Sequence, residues 1–264
     1  MDRICHPTQP RKSRSMPDSH ACRDRRPPAC CGAFPIVQSL RQLLEQHPSL
    51  LVIDSSSTRV EAVLWQRGSL TPAQVVHCDG EASAALPEVT AQALAAVALT
   101  VRALDAVAFC AGPGSVLGIR LAAASLRAWR AINPSLALFS YQSLPLLAAA
   151  HPAHAIVADA RRDSWHVVRP ESPDQIQRLT TAQLGPLACI SPLGTPATFR
   201  RWSSLPSEVT LHPLTYSAAA LLCAASDTPF FTPSSEPEAF LADTPSYVTW
   251  TPQIHQAPGS RLAS

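Results

Sequence analysis

Two short polar turns hold the residue types in this chain that could do chemistry. Asp54-Ser55-Ser56-Ser57 follows the apolar run 50–53, and Gly112-Pro113-Gly114-Ser115 follows the run 107–111. An acid at a strand end can hold a metal-bound water, or can cap its own turn by accepting from the amides of Ser56 and Ser57. A strand that turns through glycines into a helix leaves the first helical N–H groups without intrahelical partners, a cradle sized for a phosphate. The same glycines also serve a tight turn that packs a helix on its sheet. A dinucleotide fingerprint would need G-x-G-x-x-G. Here Gly118 arrives one residue late and Pro113 stiffens the middle. The candidate phosphate-loop positions are therefore Asp54, Ser55, Ser56, Gly112, Gly114 and Ser115, with no cofactor and no catalytic residue assigned.

Other reactive groups are less ordered in sequence. Asp159-Ala160-Arg161-Arg162-Asp163 reads either as a partner contact or as a charged hairpin tip. Cys5, His6, His20, Cys22, Cys30 and Cys31 could gather zinc, but their spacings match no familiar ligand pattern. Lys12 is the sole lysine, so no lysine serves a P-loop, a Schiff base or a phosphate contact from residue 33 onward. Any phosphate chemistry would fall to arginine, backbone amides or a metal. Residues 1–32 carry seven basic side chains against three acids, leaving fourteen basic and sixteen acidic groups for the rest. That composition does not make the body a basic nucleic-acid binder. The scattered cysteines, the lack of a secretory segment and the lack of a membrane-length apolar span lead us to expect reduced thiols and a cytoplasmic protein.

The elements that must position these turns follow from the apolar pattern. Residues 1–36 lack periodicity and read as a disordered or non-native leader, with Met16 as an internal alternative start. A helix is expected over 37–46, then a strand 50–53, the Asp54 turn, a strand 60–65 and a third near 75–77. Residues 83–99 predict an Ala/Leu helix with Pro87 in its first turn. A buried strand 106–111, the glycine turn, a helix 116–132, a strand 136–140 and a helix 143–150 complete a layered α/β lobe over 37–149. A second lobe, 150–225, opens with a hairpin at 155–168. Prolines punctuate it, so short elements and loops are expected. Residues 226–264 read as a linker and a tail that packs back on the body.

In this order the motifs resemble the TsaB (YeaZ) family, relatives of the M22 glycoprotease-like, Gcp-like proteins. The resemblance rests on Asp54-Ser55-Ser56-Ser57, on Gly112-Pro113-Gly114-Ser115-Val116-Leu117-Gly118-Ile119-Arg120 and on the Asp159 turn, and covers about residues 50–169. It extends loosely to the tail from Glu236 to Trp250. It implies an α/β, actin-like ATPase fold (ribonuclease H-like) of two lobes, the second reduced. It also implies a non-catalytic dimerisation subunit of tRNA N6-threonylcarbamoyladenosine synthesis. Its partners would be TsaD, in a heterodimer, and TsaE, with tRNA reached through the complex; homodimerisation stays open.

In the catalytic relative TsaD a metal-binding N-H-x-E-G-H segment would fall on Gln142 to Leu147. Ser143 and Leu147 then stand where the two histidines would be, and His151 and His154 follow at a different spacing. No metal site is expected. Val116-Leu117 replaces the family's usual Phe-Thr and removes a hydroxyl from the helix start. The resemblance implies that helices 83–99 and 116–132 pair with TsaD, through Leu86, Val89, Ala93, Val97, Leu117, Arg120, Ala124 and Arg127. On the latter helix Arg120, Arg127 and Arg130 share one broad face. The bland alternative is a solvated basic face over a core contact. The competing functions are a stand-alone phosphotransferase on this fold, with Asp54 placing a metal, and an M22-type metallopeptidase.

Overall fold

The computed structural model describes residues 36–240. The leader and its cysteine–histidine group, and the tail beyond Phe240, lie outside the described residues.

The first lobe starts with a two-residue strand β1 (Gln38–Ser39) and helix α1 (Leu40–Gln46). The helix begins three residues later than the apolar spacing suggests. Ser39 forms a capping box with Gln42, which fixes the start, and Val37 stays exposed. Then come β2 (Ser49–Asp54), β3 (Arg59–Gln66), β4 (Gln74–Asp79) and α2 (Ala82–Ala95). Pro87 sits in the second turn of α2, not the first. Pro87 and Ser83 both face solvent, so the Ser83 carbonyl left without its helical donor can be hydrated. β5 (Ala106–Gly112), α3 (Val116–Ile132), β6 (Ala137–Gln142) and α4 (Ser143–Ala150) follow.

The second lobe comprises β7 (Ala155–Asp159), β8 (Ser164–Arg169), β9 (Ser172–Thr180), α5 (Leu184–Ala188), β10 (Leu193–Pro196) and β11 (Leu211–Leu214). Helix α6 (Ala218–Ala224) and strand β12 (Pro229–Pro233) return the chain to the first sheet. The segment read as a linker thus contains a strand inserted between β1 and β6. Its two prolines hid it from a pattern reading.

The two sheets share one topology. In the first, β6-β5-β2-β3-β4 places β2 at the centre, with β3 and β4 antiparallel on one side and β5 and β6 parallel on the other. In the second, β11-β10-β7-β8-β9 repeats that order and those senses around β7. This duplicated ribonuclease H-like plan is the actin-like ATPase fold. The second lobe keeps all five strands, including the nine-residue β9, which tolerates Pro173 because it is an edge strand. Its smallness lies in the helices: α5 has five residues, against fourteen in α2 and seventeen in α3.

Continuous apolar runs form the central strands because both faces are covered. Leu50 and Val52 of β2 point into an inner core with α1, α4, α6, Ile156 and Ala158. Leu51 and Ile53 point outward under α2 and α3. In β7, Ala155 and Val157 pack with α5 on the second lobe's outer side. Residues 36–240 fall in one compact unit, so the strand ends of both lobes face a common cleft.

Candidate functional site

Each lobe's central strand ends in an aspartate, Asp54 on β2 and Asp159 on β7. Asp54 is buried. Its Oδ1 accepts from the Ser56 amide at 2.9 Å and the Ser56 hydroxyl at 2.6 Å. Its Oδ2 accepts from the hydroxyls of Tyr141 at 2.7 Å and Tyr216 at 2.6 Å. The turn-capping role is therefore realised through Ser56. Both oxygens face protein donors, which leaves a metal-bound water no free oxygen of Asp54 to bind without displacing one of them. Burial, with the adjacent Asp54 carboxylate, pushes both phenols well above the ordinary tyrosine range, so they remain protonated donors. Cys110 lies beside them, and its thiol is raised for the same two reasons.

Directly across the hairpin from Asp54 stands Glu61, also buried. It accepts from the Ser217 hydroxyl at 3.0 Å and the amides of Ala218 at 2.9 Å and Ala219 at 3.3 Å, and so caps α6. Burial and the facing Asp54 raise its carboxyl above the usual range, and the three donors only partly offset them. Tyr216 and Glu61 between them bind the segment leading out of the second lobe to the floor of the first.

The glycine turn packs face to face on the Asp54 turn. Ser115 N–H donates to the Ser56 carbonyl at 2.6 Å, and the Ser115 hydroxyl caps α3 through Gly118 N–H. Gly112 and Gly114 have φ of 115° and 156°, a region L side chains rarely adopt. A Cβ on Gly114 would collide with the Ser56 carbonyl, and one on Gly118 with the Ser55 carbonyl. The two turns are thus in close backbone contact at Gly114 and Gly118. The turn is further held by the Ser143 hydroxyl, which donates to the Pro113 carbonyl at 2.6 Å. Ser143 occupies one position the resemblance matches to a metal histidine; the other, Leu147, is fully buried in the inner core. His151 and His154 lie with ring centroids 5.9 Å apart. Among the described residues no group of three or more His, Cys, Asp or Glu is placed to hold a metal ion.

Asp159 is tied down differently. It accepts from the amides of Arg161 and Trp202, both at 2.6 Å, and of Ser203 at 2.5 Å, as well as from the Ser203 hydroxyl. Burial pushes its carboxyl up, but these donors outweigh burial and hold it below the usual range. A cavity of about 190 Å³ remains between the turns, lined by Ser57, Thr58, Ser115, Arg161, Arg200 and Trp202 among others.

The eight partner-facing positions separate in the structure. Leu86, Val89 and Ala93 are buried between α2 and the first sheet, so they build the core and cannot meet a partner. Apolar content on α2 reflects inward packing; its outer face is Ser83, Ala84, Pro87, Glu88, Ala91, Gln92 and Ala95. Val97 is half-buried against the same core. Leu117, 59% exposed, and Arg120, Ala124 and Arg127 do face outward on α3, with Arg127 donating to the Pro237 carbonyl at 2.6 Å. Tyr141, Tyr216, Glu61 and Ser203 had no signal in sequence, because each acts across a long separation.

A two-lobed actin-like ATPase fold whose first-lobe aspartate is engaged by protein donors is the class of protein these observations define. Residues 78–182 match the family model described as TsaD: tRNA N6-adenosine threonylcarbamoyltransferase. No curated protein matched. Among solved structures, YeaZ from Pseudomonas aeruginosa superimposes with a TM-score of 0.47 at 19% identity, over 67% of this chain and 90% of that one. An uncharacterized protein with similarity to peptidase YEAZ, from Pseudomonas aeruginosa, gives 0.48 and 19% over 67% and 89%. Over residues 78–182 the chain is similar to the TsaD family.

Proposed function

We propose that the chain is a non-catalytic subunit of tRNA N6-threonylcarbamoyladenosine synthesis that binds a TsaD-type enzyme and favours its active arrangement, with TsaE as a further partner. The observation that carries this reading is the engaged acid: Asp54 has both oxygens taken up by Ser56, Tyr141 and Tyr216. Such a site lacks the free acid that would place a metal for a phosphotransferase. The partner surface is the outer face of α3, with exposed Val116, Leu117, Arg120 and Ala124. The subunit makes no bond itself; it acts by binding one state of the enzyme more tightly than the other.

Calorimetric titration of the chain with a TsaD-type enzyme tests this directly. Saturable binding that is lost in the Leu117→Asp, Arg120→Glu double variant is expected. ATP turnover by the isolated chain, abolished by Asp54→Asn in a variant that still folds, would overturn the reading.

A further inference from the structure

The turn after β7 and the loop between β10 and β11 meet at the mouth of the cleft, clamped by the hydrogen bonds that Asp159 accepts from the 161, 202 and 203 amides. This clamp brings together Arg161, Arg162, Arg200, Arg201 and Trp202, all of them exposed. The Arg161 guanidinium lies 4.4 Å from the centroid of the Trp202 ring, while the side chain remains 53% exposed. One ring face is thus braced by a cation, and the rest of the indole is open to a second planar group. Arg200 meets Glu81 at 3.4 Å in a pair exposed on both sides, which water screens. Arg162 and Arg201 make no ion pair among the described residues. Of the nearby acids, Asp159 is fully engaged by amides, leaving Asp163 and Glu81 against four guanidiniums.

We infer that this surface is a contact site for single-stranded RNA, with a base stacked on Trp202 and phosphates on the flanking arginines. An open, braced indole beside the exposed guanidiniums of Arg162, Arg200 and Arg201 combines a stacking platform with backbone contacts, the two elements of sequence-tolerant single-strand binding. An acidic peptide would use the arginines but leave the indole without a role. The basic character is local, which is why composition of the whole body does not reveal it. The site's cavity is also lined by Val116 and Leu117 at the start of α3, but the base and phosphate contacts come from the second lobe and do not depend on the partner reading.

Fluorescence anisotropy of a labelled single-stranded RNA of about a dozen nucleotides, titrated with the full chain at several salt concentrations, tests it. Binding should weaken as salt rises. Arg162→Ala with Arg201→Ala should lower affinity roughly tenfold at low salt and flatten the log–log salt slope by about 1.4, at about 0.7 per lost phosphate contact. Trp202→Ala should lower affinity about tenfold with the slope unchanged, and Trp202→Phe should restore most of it. All variants should keep wild-type thermal stability, and calorimetric titration of the wild-type chain with the TsaD-type enzyme is read separately, so failure here is separable from failure of the proposed function. No binding at about 50 mM salt, or equal affinity in all variants, overturns the inference. So does a polyglutamate peptide that binds with the same arginine dependence while the RNA does not.

Discussion

Asp54 shows how one residue type reaches two chemistries depending on its neighbours. Its bond to the Ser56 amide is local and legible in sequence, because an aspartate two residues before a serine at a strand end makes its own turn. The bonds from Tyr141 and Tyr216 come from 87 and 162 residues away, and nothing in the local pattern announces them. Tyr216→Phe should destabilise the fold by about 1.5–3 kcal/mol, the range for a hydrogen bond to a charged group, read by urea unfolding. Glu61 adds a pH signature. Its folded carboxyl titrates above its ordinary value of 4.5, so the fold disfavours the charged form. The stability associated with the neutral form is complete below about pH 4.5 and is lost as pH rises through the folded value. Glu61→Gln removes that titration. Unfolding curves across this window should therefore show the variant gaining on wild type as pH increases.

At the scale of elements, α2 and α3 look alike in apolar content yet do different work. The 116–132 helix was legible to the residue, since Ser115 caps it and Asn133 ends it. The orientation of α2 was not, because alanine on both faces gives the periodicity little contrast, and only packing against β3 and β4 decides which face is inward. The two sets of positions should behave oppositely. Leu86→Ala should destabilise by about 2–5 kcal/mol, as for other buried leucines, and weaken partner binding only through misfolding. Leu117→Asp should leave thermal unfolding within about 0.5 kcal/mol of wild type while weakening TsaD binding. The glycine turn gives a further case. Gly114→Ala combines an unfavourable φ with a collision against the Ser56 carbonyl, so it should destabilise by at least about 3 kcal/mol in urea unfolding.

For the whole molecule, duplication of one five-strand plan explains the cleft. The aspartates at the equivalent strand ends, Asp54 and Asp159, are each held by donors of the chain itself. The first lobe was legible because long apolar strands and helices alternate there. Much of the second was not, because Pro170, Pro173, Pro196, Pro213 and Pro229 interrupt patterns that the sheet edges and strand ends nevertheless accommodate. No helix among the described residues is long and apolar enough to cross a membrane. The outer face of α3 and the arginine–tryptophan surface at the cleft mouth are the two surfaces proposed above for macromolecular partners.

Calorimetric titration of the full chain with a TsaD-type enzyme, run beside a titration with Mg-ATP, separates a partner-binding subunit from a nucleotide-using enzyme. Saturable heat is expected with the enzyme and none with nucleotide alone. Nucleotide binding to the isolated chain that Asp54→Asn removes, with no heat from the enzyme, would contradict it.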